Sequence, residues 1–120
     1  MNWINRKNNN YQRSDSDISI HTIVIRNKSY IDFIFRNDVW KFFESPDLRL
    51  EMAVENNRIY FRSSKYGMKL SLGSSACSNR YMKYPVNKYT QSIADKFVGD
   101  YDLKFDETEK LYYISLDARW

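Results

Sequence analysis

Arg58, Arg62, Lys65, Lys69, Arg80, Lys83 and Lys88 fall within residues 56–94, and no Asp or Glu falls among them. Cations gathered without anions are what a polyanion requires, since each ammonium or guanidinium can neutralise one phosphate. The flanks differ. Residues 1–55 carry eight basic and eight acidic groups and residues 95–120 carry four and seven, so segments of 0, +7 and −3 make up the net charge of +4. Tyr60, Tyr66, Tyr81, Tyr84 and Tyr89 are interleaved with the cations. There they can stack on bases or donate to phosphate, although Tyr at alternate strand positions also serves sheet packing. The centre of the stretch, MKLSLGSSACSNRYMKYP at 68–85, reads as a polar, basic, glycine-marked connection between apolar runs. Its Ser hydroxyls and Asn79, beside Arg80 and Lys83, suit phosphate oxygens. Gly, Ser and Asn also make ordinary solvated loops. The binding candidates are Arg58, Arg62, Lys65, Lys69, Asn79, Arg80, Lys83 and Lys88. Nucleic acid, a protein with an acidic face, and no charged partner at all remain open at this point.

Other chemistries find little material. Cys77 is the only cysteine and His21 the only histidine, so a structural zinc site cannot be built. His21 lies inside an apolar strand pattern, which argues against a Cys–His dyad. Neither G-x-x-x-x-G-K-[ST] nor G-x-G-x-x-G occurs, leaving a phosphate-cradling nucleotide site unsupported. Asp102, Asp106, Glu107 and Glu109 cluster on a predicted hairpin and its turn, where a solvated tip is the simpler reading. No catalytic residue, metal or cofactor is assigned, and an enzyme is not expected. A lone cysteine fits a reducing compartment, so a cytoplasmic location is expected. No run reaches the roughly 18 apolar residues of a membrane span, and the polar start MNWINRKNNNYQRSDSD lacks the apolar core of a signal peptide. Residues 1–17 are expected to form a flexible arm, with Trp3 and Ile4 as anchors if a partner orders it. Residues 18–120 are expected to form a single compact domain.

The elements that must position these residues are mostly strands. The β-branched run ISIHTIVIRN, 18–27, apolar on both faces, reads as a central strand, and YIDFIF, 30–35, completes a hairpin across Asn27-Lys28. In NDVWKFFESPD, Asn37 or Asp38 can cap a helix, Val39, Phe42 and Phe43 share one face, and Pro46 ends it after about two turns. Leu48, Leu50, Met52 and Val54 alternate with polar neighbours, turn at ENN and return along Arg58–Arg62. Met68, Leu70 and Leu72 share one strand face; RYMKYP follows the loop. Val86, Tyr89, Ile93, Ala94 and Phe97 form a helical stripe within 86–98, opened by Pro85 and closed by a left-handed cap at Gly99. Tyr101, Leu103 and Phe105 alternate into the turn DETE, and Leu111–Leu116 returns.

Laid side by side, the two halves, about 18–64 and 66–117, share one order, β–loop–β–α–β–β. Tyr30–Phe35 falls over Tyr81–Val86, and Arg58-Ile59-Tyr60-Phe61 over Lys110-Leu111-Tyr112-Tyr113. The fold class is therefore α+β: a mainly antiparallel β small barrel or sheet from two such repeats with two short helices. The unit resembles the swapped-hairpin domain of AbrB- and MazE-like DNA-binding proteins. Their pattern is a strand, a basic loop with Gly, an "IP" strand end, a short helix, and a hairpin starting near "GD". Pro85 in RYMKYPV and Gly99-Asp100 in VGDYDLKF match it; in the first half Ile34 replaces the proline and Pro46-Asp47 replaces Gly-Asp. The resemblance implies a transcription-regulator type of protein that is a pseudo-dimeric monomer or a homodimer. It also implies contact with duplex DNA from the loop before the "IP" strand, here Lys69, Asn79, Arg80 and Lys83. Arg26 and Lys28 hold the corresponding place in the first half, and Asp32, which falls over Lys83, weakens it.

An alternative follows from composition. The Asn-, Lys- and Tyr-rich usage is similar to that of low-GC bacterial mobile elements and phages, which carry small inhibitors of host defence nucleases, including anti-CRISPR proteins. In that reading the basic face occupies an acidic groove, or the acidic C-terminal hairpin mimics nucleic acid.

Overall fold

The structure, a computed structural model, describes residues 15–43, 48–72 and 79–120. Residues 1–14 with Trp3 and Ile4, residues 44–47 with Pro46, and residues 73–78 with Cys77 lie outside the described residues. Among the described residues ten strands form two antiparallel five-stranded sheets, accompanied by one α-helix and two short 3-10 turns. The first sheet contains β1 (Ile18–Ile25), β2 (Lys28–Phe35), β6 (Ser71–Leu72), β7 (Arg80–Pro85) and β8 (Gly99–Tyr101), ordered β6-β7-β2-β1-β8. The second contains β3 (Arg49–Glu55), β4 (Arg58–Ser63), β5 (Met68–Lys69), β9 (Lys104–Asp106) and β10 (Leu111–Ser115), ordered β5-β3-β4-β10-β9. Only Leu70 separates β5 from β6, and only Asp102-Leu103 separates β8 from β9. The chain thus passes directly from an edge of one sheet to an edge of the other at two places.

Alternation explains the packing. Ile31, Phe33 and Phe35 of β2 point inward, facing Ile20 and Ile18 of β1 and Met82 of β7 in register. Ile59 and Phe61 of β4 and Ile114 of β10 close the core from the second sheet. Phe61 makes edge-on contacts with Phe33, Phe35 and Phe43, at centroid separations of 6.4, 5.8 and 6.3 Å, the geometry favoured by ring quadrupoles.

Turns follow the residues that tolerate positive φ. Arg26 and Asn27 both have φ above zero, as a two-residue hairpin with primed geometry requires, so the first turn sits one residue earlier than Asn27-Lys28. Asn56 (φ 55°) turns the second hairpin, as ENN implies, and Lys110 (φ 56°) ends the turn of the last one. Ser64–Gly67 crosses β3, and a Cβ on Gly67 would overlap the Leu50 carbonyl and lie 2.8 Å from the Glu51 nitrogen.

The helices depart most from expectation. The segment after Asn37 is a four-residue 3-10 turn, Val39–Phe42, rather than a two-turn helix. Asn37 and Asp38 are both left-handed and neither side chain caps it: the Asn37 amide donates instead to the Asp15 carbonyl and the Asp17 carboxylate. The helix α1 spans only Gln91–Lys96. Before it, the Asn87 side chain accepts from the Tyr89 and Thr90 amides, and the Thr90 hydroxyl donates to the Pro85 carbonyl at 2.8 Å. Gly99 opens β8 with φ of 148°, where a Cβ would meet Arg119 Cδ at 2.6 Å; it does not cap the helix, which ends at Phe97.

Asp15–Asp17, read from sequence as part of the arm, are bound to the body. Ser16 is fully buried, the Arg36 amide donates to the Asp17 carbonyl at 2.7 Å, and the Leu103 amide donates to the Asp17 carboxylate at 2.9 Å. Beside them the Ser19 hydroxyl joins the Arg36 guanidinium (2.5 Å) to the Asp100 carboxylate. No described helix is long and apolar enough to cross a membrane.

Candidate nucleic-acid interface

Strand pairing divides the seven cations. Arg58 and Arg62 lie on β4, in the second sheet. The Arg62 guanidinium is paired with Glu51, its cross-strand neighbour on β3. Arg58 donates to the Asp106 carboxylate at 3.0 Å and to the Tyr60 hydroxyl at 3.1 Å, and its guanidinium lies 4.1 Å from the Tyr113 ring centroid. The Tyr60 hydroxyl donates in turn to Asp106 at 3.2 Å. The bond to Tyr60, and after it the neighbouring Tyr113 and the Asp106 carboxylate, raise the Arg58 pKa against the opposing effect of burial. Asp106 is held below the usual carboxylate range, first by the Glu109 amide and then by the Thr108 amide, Tyr60 and Arg58. Both arginines are therefore neutralised by acids from the flanking segments of the sequence.

Lys65 stands in the crossing segment with its ammonium 5.1 Å from the Tyr66 ring. Lys88 stands in the turn before α1, 5.0 Å from the Tyr89 ring. Asn79 immediately precedes β7 and is half-buried. Arg80 opens β7 and lays its guanidinium 4.4 Å over the Trp40 ring, a contact that holds the charged plane in place. Its Nε is buried, with no hydrogen-bond partner among the described residues.

Lys69 of β5 and Lys83 of β7 are the cations brought together. They line one open groove of about 610 Å³ with Met68, Ser71, Leu72, Tyr81 and Asp32. Among the described residues no ion pair engages either lysine. Asp32 faces Lys83 in register and is bound to His21, Nε2 to Oδ2 at 3.2 Å. Arg26 lies in the turn at the other end of β2 and Lys28 begins that strand. The candidates thus split into a groove pair, Lys69 and Lys83, with Asn79 and Arg80 at the end of the same strand; two neutralised arginines on the other sheet; and two isolated lysines, Lys65 and Lys88. Sequence reasoning did not place Asp32 at the groove. The signal for it was the β2–β7 register, which no single-strand pattern carries.

Among the described residues no group of three His, Cys, Asp or Glu is placed to hold a metal ion. Comparison of the chain with models of protein families, with curated proteins and with solved structures finds no match.

Proposed function

We propose that the chain is a DNA-binding protein of the transcription-regulator type, with two degenerate β–β–α–β–β copies closed into one small barrel. The strand pairing supports the repeat. β2 and β7, equivalent in the two halves, pair antiparallel about Asp32 and Lys83, which are equivalent positions. β4 and β10, also equivalent, pair antiparallel about Tyr60, Phe61, Tyr112 and Tyr113. Two further ladders cross between halves: β3 of the first takes β5 of the second, and β1 of the first takes β8 of the second. The chain itself links the edges of the two sheets, through Leu70 between β5 and β6 and through Asp102-Leu103 between β8 and β9, and a closed arrangement of this kind leaves few open edges. That interleaving is what the resemblance to the swapped-hairpin domains implies, achieved here within one chain.

The observation that carries the functional reading is the Lys69–Lys83 groove. Two lysines with no ion pair among the described residues share it with the Ser71 hydroxyl and the Tyr81 ring, beside a strand whose first residue, Arg80, is held against Trp40. Ammonium groups and hydroxyls are groups that contact phosphate oxygens. The test is a gel shift on duplex and single-stranded DNA at two salt concentrations, beside light scattering. Duplex binding that weakens with salt, by a particle of monomer mass, 14.5 kDa, is the expected result. Absent binding at low salt overturns the reading, as does a stoichiometric protein partner from lysate that survives nuclease treatment while DNA does not bind.

A further inference from the structure

The edge of β3 is only half used. The Ser64 amide donates to the Arg49 carbonyl and the Leu70 amide to the Leu48 carbonyl. In an antiparallel ladder the hydrogen-bonded pairs recur every second residue. Arg49, Glu51, Ala53 and Glu55 therefore direct their backbone groups to β4, and Leu48, Leu50, Met52 and Val54 direct theirs to the opposite side. There β5 takes Leu50 against Met68, and the chain then leaves β3 at the crossing near Gly67. Among the described residues no strand pairs with β3 on this side beyond Leu50, so the N–H and C=O groups of Met52 and Val54 face open space.

That space is walled. Glu51, Met52 and Val54 form one side of a groove of about 540 Å³, and Tyr84, Lys88, Tyr89, Thr90, Ser92 and Ile93 form the other. Apolar surface is exposed on both sides, Val54 at 39% and Tyr89 at 77%. The charge is one-sided: the Glu51 carboxylate is taken by Arg62, and among the described residues no ion pair engages Lys88.

We propose that this groove takes an extended segment of another protein as an added strand on β3. The segment carries aliphatic side chains toward Met52 and Val54 and a carboxylate toward Lys88. An unpaired strand edge offers backbone donors and acceptors that an extended chain completes, and the side-chain walls select the residues. The inference is independent of the DNA reading, whose groove lies between β5 and β7.

The test is an amide NMR titration of the full chain. The probe is an acetylated, amidated heptapeptide of alternating valine and glutamate, compared with its valine–lysine counterpart. Saturable shifts confined to Glu51–Glu55 and Lys88–Ile93 are expected. Val54→Pro removes an N–H that faces the open edge, a position where sheets accept proline, so the fold is retained and binding is lost. Lys88→Glu weakens the glutamate peptide about threefold, the scale of one exposed ion pair, and favours the lysine peptide. Lys88→Glu touches no core residue and decides the matter if Val54→Pro does not fold. The proposal is overturned by an absence of shifts, by equal binding of both peptides, or by a doubled mass in light scattering that removes these same amides from solvent.

Discussion

The salt dependence of DNA binding separates the groove lysines from the neutralised arginines. Lys69→Gln with Lys83→Gln removes two cations that have no ion pair among the described residues; Arg58→Gln with Arg62→Gln removes two that already face Asp106 and Glu51. Both double variants change the net charge by the same amount, so a diffuse attraction to DNA responds equally to each. Direct neutralisation does not. Each phosphate contact contributes about 0.9 to the slope of log affinity against log salt. Loss of two contacts lowers the slope by about 1.8, which between 50 and 200 mM salt amounts to about a tenfold smaller loss of affinity. The arginine variant is expected to keep the parent slope. Fluorescence anisotropy of a labelled duplex across that salt range, with circular dichroism to verify the fold, measures both. Equal slope changes in the two variants, or a lysine variant with the parent slope, refute the assignment of the phosphate contact to the Lys69–Lys83 groove.

Gly67→Ala drives a methyl group into the Leu50–Glu51 peptide; urea denaturation is expected to show a loss near the upper end of overpacking costs, about 3 kcal/mol. Tyr101→Phe leaves the Phe97 carbonyl without the buried hydroxyl that donates to it at 2.8 Å, a loss of about 1–2 kcal/mol in the same assay. Because Asp106 is held below its ordinary pKa in the folded chain, its stabilisation is complete above the usual carboxylate range and is lost as pH falls through the lower folded value. The Tm gap between the parent and Asp106→Asn is therefore constant from pH 6 to 8 and closes below about pH 4. Hydrogen exchange reads the phase of β3 directly: Ala53 and Glu55 amides exchange slowly and Met52 and Val54 amides quickly, and the reverse order places the open edge on the wrong residues.

Where structure depends on a period of two and on turn residues, the sequence was readable. Leu50, Met52 and Val54 against Ile59 and Phe61 form the hairpin that their alternation implies, and Asn56 turns it. Readability failed where one spacing serves two geometries. Val39, Phe42 and Phe43 fit the face of an α-helix, yet in the 3-10 turn Val39 and Phe43 are buried while Phe42 stacks on Tyr112 at 5.3 Å, half exposed. So short a helix has too few backbone bonds to offset its nucleation, and the left-handed pair Asn37–Asp38 directs the Asn37 amide to the chain at 15–17 instead of to a cap.

Charge is a different case, because a window of sequence is not a region of surface. Residues 56–94 contain no acid, but β4 from that window lies between β3 and β10. Register sets Glu51 opposite Arg62, and Asp106 at the end of β9 reaches Arg58. Two of the seven positive charges are cancelled by residues that are distant only along the chain. The same operation leaves Lys69 and Lys83 together, since β5 and β7 present them to one groove. A cation-rich stretch of a β protein thus predicts a binding surface only after the partner of each strand is known: the strand with acidic neighbours contributes little, and the strand at the seam between two sheets retains its charge.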